Sequence, residues 1–191
     1  MIARALGTMA LLRTPAGMPP KLVALLEFWD GKRRGRKVPA RKDFDVFELR
    51  PWLGYLHLVE VLASGRDYRY AIYGTDIAMA FGVDLTGKTL AAVPAAARPA
   101  VESAYAAVRM SGEPLFVEED PTFQSSIERV ECLILPLSTS GDTVDRLLIG
   151  TARVERSTTA LAERRRAQRV PVLWPGRVER GGGWDGCVVL D

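Results

Sequence analysis

The spacing of apolar positions changes several times along the chain, and each change marks an element. After Pro19-Pro20, the segment KLVALLEFWDGKRRG puts Leu22, Leu25, Leu26 and Trp29 at helical spacing and meets a stop at Gly31, which predicts an amphipathic helix. A helix ahead of a sheet either caps that sheet or pairs with a second copy, and the pattern leaves both open. Lys32–Pro51 is basic, then mixed, and reads as a connecting loop with a short helix near Phe44–Leu49. Tyr55–Leu62 and Tyr68–Ile77 are β-prone runs separated by ASGRD, a hairpin turn. A short helix over Asp76–Phe81 ends at Gly82, and Gly87 supplies a further turn. Between Pro94 and Met110, Val101, Ala104, Tyr105 and Val108 recur at helical spacing, with Gly112 as the stop. From Pro114 onward PLFVEED, SIERVECLILPLST and VDRLLIGTARV predict three antiparallel strands, with a turn at Ser140–Asp142. The order strand, strand, helices, strand, strand, strand predicts an α+β fold: a five-stranded antiparallel sheet with its helices on one side.

Composition narrows the class. At 191 residues the chain fits one domain plus appendages, and 48% apolar with 26% charged residues is a globular composition with a real core. Residues 1–18 read as a flexible tail, 19–155 as the domain with its N-terminal helix, 156–169 as a charged helical linker and 170–191 as a short β fragment. Arg13 interrupts the apolar start, so no secretory leader is expected. The apolar runs Cys132–Leu137 and Leu147–Ile149 fall far short of the roughly 20 residues of a membrane span, and a cytoplasmic protein is expected. Cys132 and Cys187 form no CxxC or Cys/His cluster, so neither a disulfide framework nor a metal site is indicated. The net charge of +3 is concentrated at Lys32–Lys37 and Arg164–Arg169. KRRGRK has no interleaved aromatics and no reading helix beside it, so nucleic acid is not expected as a partner.

Candidate chemistry is sparse. No GxSxG elbow, P-loop, HExxH or dinucleotide fingerprint occurs, and no catalytic residue is assigned. Glu118, Glu119 and Asp120 read as a solvated loop. His57, the sole histidine, lies in the apolar strand GYLHLVEV and reads as a partly buried strand residue, neither a haem ligand nor a general base. Among the aromatics Trp52, Tyr55, Tyr68, Tyr70, Tyr73, Phe81 and Phe116, the candidates for lining an internal cavity are Tyr68, Tyr70, Phe81 and Phe116, with Cys132 as a small core neighbour. Simple alternation puts Tyr68 and Tyr70 on one face of their strand and Arg69 and Tyr73 on the other. No cofactor is identified by these residues.

Three stretches carry a family resemblance when taken in order. FWDGKRRGRKVPARKDFD (Phe28–Asp45), YRYAIYGTDIAMAFGVDLTGKTL (Tyr68–Leu90) and LILPLSTSGDTVDRLLIG (Leu133–Gly150) resemble the PAS-like family common in alphaproteobacteria. Its members carry a tryptophan-led basic segment ending in a P-x-R turn, a GT strand end, an LTG turn and an LPL hairpin. The likeness covers about Val23–Val154. It implies a sensory or regulatory domain that responds to a small ligand or a partner and relays the signal through flanking helices, with a homodimer expected and catalysis not. At the end of the chain, Arg165-x-x-x-Arg169 and the strand reaching Asp191 resemble the opening of a PilZ domain. That resemblance implies cyclic di-GMP as ligand of Arg165, Arg169 and Asp191, because arginine forks donate bidentately to phosphate; the Ser and Gly of the second PilZ motif are not present. Two alternatives accompany the sensory reading: a ligand-free dimerisation scaffold, and a cyclic di-GMP effector.

Overall fold

The computed structural model describes residues 2–5, 17–119, 127–141 and 143–155. The chain divides into two units, Met1–Arg156 and Ser157–Asp191, and the second lies outside the described residues. The expected linker 156–169 and fragment 170–191 therefore lie outside them too.

The first unit is an antiparallel sheet. Its strands are β1 (Ile2–Ala5), β2 (Leu56–Leu62), β3 (Asp67–Tyr73), β4 (Leu115–Glu119), β5 (Ile127–Leu137) and β6 (Arg146–Glu155), in the spatial order β1-β4-β5-β6-β2-β3. The five expected strands are present. β1, inside the stretch read as a tail, adds a sixth along the outer edge of β4, where Ile2 pairs with Glu118 and Ala5 with Leu115. A four-residue strand has too short a pattern to show in sequence, and it forms by backbone pairing with an edge that would otherwise stay open. Among the described residues three helices complete the unit: α1 (Pro20–Arg33), α2 (Thr75–Phe81) and α3 (Arg98–Ser111). The connection read as carrying a helix near Phe44–Leu49 forms 3-10 turns instead, at Arg41–Asp43 and Arg50–Tyr55.

The internal helices share one side, as expected, while the N-terminal helix, whose place the sequence left open, lies on the other. α2 and α3 cover one face, where Val59, Tyr68, Tyr70, Tyr105, Val108, Val117, Ile134 and Ile149 form one core. α1 covers the opposite face, where Leu22, Leu25, Leu26 and Trp29 join Phe116, Leu133, Leu135, Leu137 and Leu148 in a second core. With side chains alternating across a strand, β5 and β6 must be apolar at nearly every position to serve both, and LILPL and LLIG are.

α1 thus caps the sheet, and its apolar stripe is buried by that contact. Trp29 is fully buried, and its indole N–H donates to the Pro136 carbonyl at 2.9 Å. Gly150 of β6 lies directly beneath: a Cβ there would run into the side chains of Leu25 and Leu22, so its absence lets the helix sit close to the sheet. The helix passes through Gly31 and ends at Arg34, whose φ of 50° is left-handed. The basic run beyond is largely a helix cap, since the Arg36 guanidinium donates to the Arg33 and Lys32 carbonyls at 3.1 Å and also pairs with Asp43. Lys32 pairs with Glu48 at 2.6 Å.

Truncating the residue that joins α1 to the sheet should be costly. Trp29→Ala is expected to lower unfolding stability by about 3–5 kcal/mol, read from the urea midpoint at constant m-value.

Candidate functional site

Between the sheet and the α2/α3 layer lies a cavity of about 170 Å³. The sheet contributes His57, Tyr70, Tyr73, Val117, Val130, Cys132, Ile134, Ile149 and Thr151; the other wall includes Ile77 and Phe81 of α2 and Val101, Ala104 and Tyr105 of α3. α3 presents Val101 and Ala104 there beside the Tyr105 ring. Toward solvent, Phe81, Val83 and Ala97 are half-buried and Pro94 is exposed, so the cavity opens at this end. No Asp, Glu, Lys or Arg lines it.

A β-bulge decides which tyrosines face this space. In the β2–β3 ladder Leu58 pairs with Ile72 but Val59 with Tyr70, so Ala71 is the extra residue. One inserted residue inverts the alternation beyond it. Ile72 turns outward, 49% exposed, and Tyr73 turns inward beside Tyr70, contrary to the expectation from simple alternation.

His57, opposite Tyr73 in the ladder, is 5% exposed and stacks on the Tyr73 ring with centroids 4.2 Å apart. Its hydrogen bonds set its tautomer. The backbone N–H of Gly74 can only donate and reaches Nδ1 at 3.4 Å, so the proton sits on Nε2 and is donated to Thr151 Oγ1 at 3.0 Å. Thr151 in turn lies 3.7 Å from Cys132 Sγ. Burial pushes the His57 pKa down to about 3 from its ordinary 6.5, so the imidazole is neutral at physiological pH. Nearby the Tyr70 and Tyr105 hydroxyls are 3.0 Å apart, and burial holds the Tyr105 and Tyr73 phenols protonated well above their ordinary range.

Gly74 also starts α2. A Cβ on it would meet the carbonyl oxygen of Gly54, so at this point the Arg50–Tyr55 turn and the helix start meet backbone to backbone. On the far side the Arg153 guanidinium of β6 donates to the Asp76 carbonyl at 3.3 Å. The N-terminus of α2 is therefore tied to β2 through His57 and to β6 through Arg153.

The residues singled out from sequence divide four ways. Tyr70, Phe81 and Cys132 line the cavity. Tyr68 is buried on the same face, edge-on to Tyr105 at 5.3 Å, but does not line it. Phe116 faces the α1 core: alternation along β4 sends Leu115 and Val117 to one face and Phe116 to the other. Arg165, Arg169 and Asp191 lie outside the described residues. Thr151 and Tyr105 were not singled out; a lone hydroxyl in the apolar run LLIGTARV was the available signal for the former. Among the described residues no group of three or more His, Cys, Asp or Glu is placed to hold a metal, and no helix is long and apolar enough to cross a membrane.

A family model described as a PAS domain matches residues 18–151, the span from the start of the α1 core to Thr151 of the cavity. The chain belongs to the PAS domain family. No curated protein matches it. Among solved structures, one described as "Flavin Analogue Sheds Light on Light-Oxygen-Voltage Domain Mechanism" is 15% identical, with a TM-score of 0.42, covering 64% of this chain and 92% of that one. Another, "Structure of an RNA-binding Light-Oxygen-Voltage Receptor", is 12% identical with a TM-score of 0.37, covering 86% of this chain and 40% of that one. In this PAS domain the first and third sequence stretches of the resemblance meet in space, and the second folds back on itself. Trp29 bonds Pro136, the Pro39–Arg41 turn brackets Ser138 through bonds of 3.1 and 2.8 Å, and Gly87 and Lys88 pair with Tyr70 at 2.7 and 2.9 Å.

The buried imidazole predicts a pH dependence. Between pH 6.5 and about 3 the unfolded chain holds a proton on histidine that the folded chain does not, so this contribution to stability is full above 6.5 and is lost as pH falls. His57 is the sole histidine, so between pH 7 and 5 its titration is isolated from that of the carboxylates. Unfolding stability should fall across that range with a slope approaching about 1.4 kcal/mol per pH unit, and His57→Gln should flatten the slope in urea titrations at several pH values.

Proposed function

We propose that this PAS domain is a sensory or regulatory module whose input is a small molecule bound in the cavity between the sheet and the α2/α3 layer. The observation that carries the reading is the cavity itself. About 170 Å³ of space, apolar walls and a few converging polar groups are what a small-ligand site requires, and a native core seldom leaves so large a void unfilled.

The connections around the cavity supply a route for the signal. Thr151 lies on β6, the strand that leads to Arg156 and the second unit, and Arg153 on the same strand holds the start of α2. A ligand that presses on Ile77 or Phe81, or competes for the Thr151 hydroxyl, acts on both ends of that connection. It shifts the equilibrium only by the difference in its affinity for the two arrangements.

Native mass spectrometry of the full chain tests the reading. A small-molecule mass retained by wild type, or acquired from a metabolite extract, should be lost in Ala104→Leu, which narrows the cavity, while circular dichroism stays the same. A protein that emerges clean and takes up nothing, in both forms, would turn the reading toward a ligand-free scaffold.

A further inference from the structure

The cavity also specifies what kind of molecule it accepts. We propose that it takes an uncharged ligand of about one-ring size bearing a hydrogen-bond acceptor oxygen, such as an aromatic ketone or aldehyde, held against the Thr151 and Tyr105 hydroxyls. This rests on the cavity being the input site, and adds the ligand's size, charge and polarity.

Size comes first. A cavity of 170 Å³ is close to the roughly 150 Å³ of an engineered void that admits benzene, and well below the ~300–1,000 Å³ of pockets for drug-sized ligands. One ring with a short substituent fits within it.

Charge is excluded by the lining. No ionic side chain faces the space, and the titratable groups that do are neutral: the imidazole by burial, the Tyr73 and Tyr105 phenols likewise. A carboxylate or ammonium would leave water with no counter-charge to meet it.

Polarity follows from counting protons. The acceptor nitrogen of His57 faces the Gly74 N–H, and its N–H is given to Thr151, so the ring has no lone pair for a ligand. Thr151 therefore receives on its oxygen and keeps its own proton to donate. Its hydroxyl lies 3.7 Å from the Cys132 sulfur, a weak acceptor that a ligand oxygen would replace. Tyr105 adds a second hydroxyl from the opposite wall. No carboxylate or side-chain amide lines the cavity to accept the Thr151 proton, while the Tyr105 hydroxyl pairs with that of Tyr70. The Thr151 proton, facing only a weak sulfur acceptor, is therefore best met by a ligand oxygen that accepts.

Isothermal titration of the full chain with acetophenone, ethylbenzene and benzoate separates these claims. Wild type should bind acetophenone at least as tightly as ethylbenzene, although water holds the ketone more strongly, and should not bind benzoate. Thr151→Val, nearly isosteric, and Tyr105→Phe should each weaken acetophenone by roughly tenfold while leaving ethylbenzene within about twofold. If both variants lower the two neutral probes equally, or if ethylbenzene is much the tighter ligand of wild type, the polarity assignment falls while the cavity remains a binding site. Benzoate binding as tight as acetophenone would overturn the exclusion of charge. Failure of every probe to bind wild type would overturn both this inference and the reading of the cavity as an input site.

Discussion

A sheet covered on both faces must supply apolar side chains at successive positions of its central strands, and this constraint organises the molecule. β5 and β6 meet it with Leu133, Leu135, Leu137 and Leu148 toward α1, and Ile134, Leu147 and Ile149 toward α3. The two covers then differ in the side chains they offer. α1 brings leucines and a tryptophan down onto Gly150, and that contact is close. Near the cavity α3 brings valine and alanine beside Tyr105 to the sheet, and space remains beside the two small side chains.

What gives the void its chemistry is one extra residue in β3. The bulge at Ala71 turns Tyr73 inward over His57, so a ring pair lies beside the polar group where simple alternation would have left solvent-facing tyrosine. It also brings the chain to Gly74 in a position to donate to His57 and start α2. A single backbone irregularity thus shapes the floor of the cavity, the tautomer of its only imidazole and the anchoring of a helix that forms its wall.

The motifs that carried the family resemblance are the points where distant segments join. Trp29 and the Pro39–Arg41 turn both reach the end of β5, and the LTG turn lines the outer edge of β3 at Tyr70. Their residue types follow from those contacts: an indole that fills volume and donates once, and a glycine turn whose backbone pairs with a strand edge. The basic run that raised the question of a nucleic-acid partner instead caps α1 through Arg36 and pairs with Asp43 and Glu48.

By itself the sequence determined the strands β2–β6, the helices and their order, because hydrophobic period and glycine stops act over a few residues. It also pointed to Tyr70, Phe81 and Cys132, which the fold brings to one cavity. Only the tertiary structure decided the rest. β1 exists through pairing with a strand more than a hundred residues away, and α1 lies opposite the other helices because a second apolar face needed cover. Phe116 and Tyr73 exchanged the faces expected of them, the one by its parity in β4 and the other by a bulge that leaves no mark in composition. His57 became a neutral ring at a cavity floor because its environment is built from β6, β3 and the start of α2, none of them its neighbours along the chain. Local patterning sets elements; long-range register and burial set which of their side chains share a site.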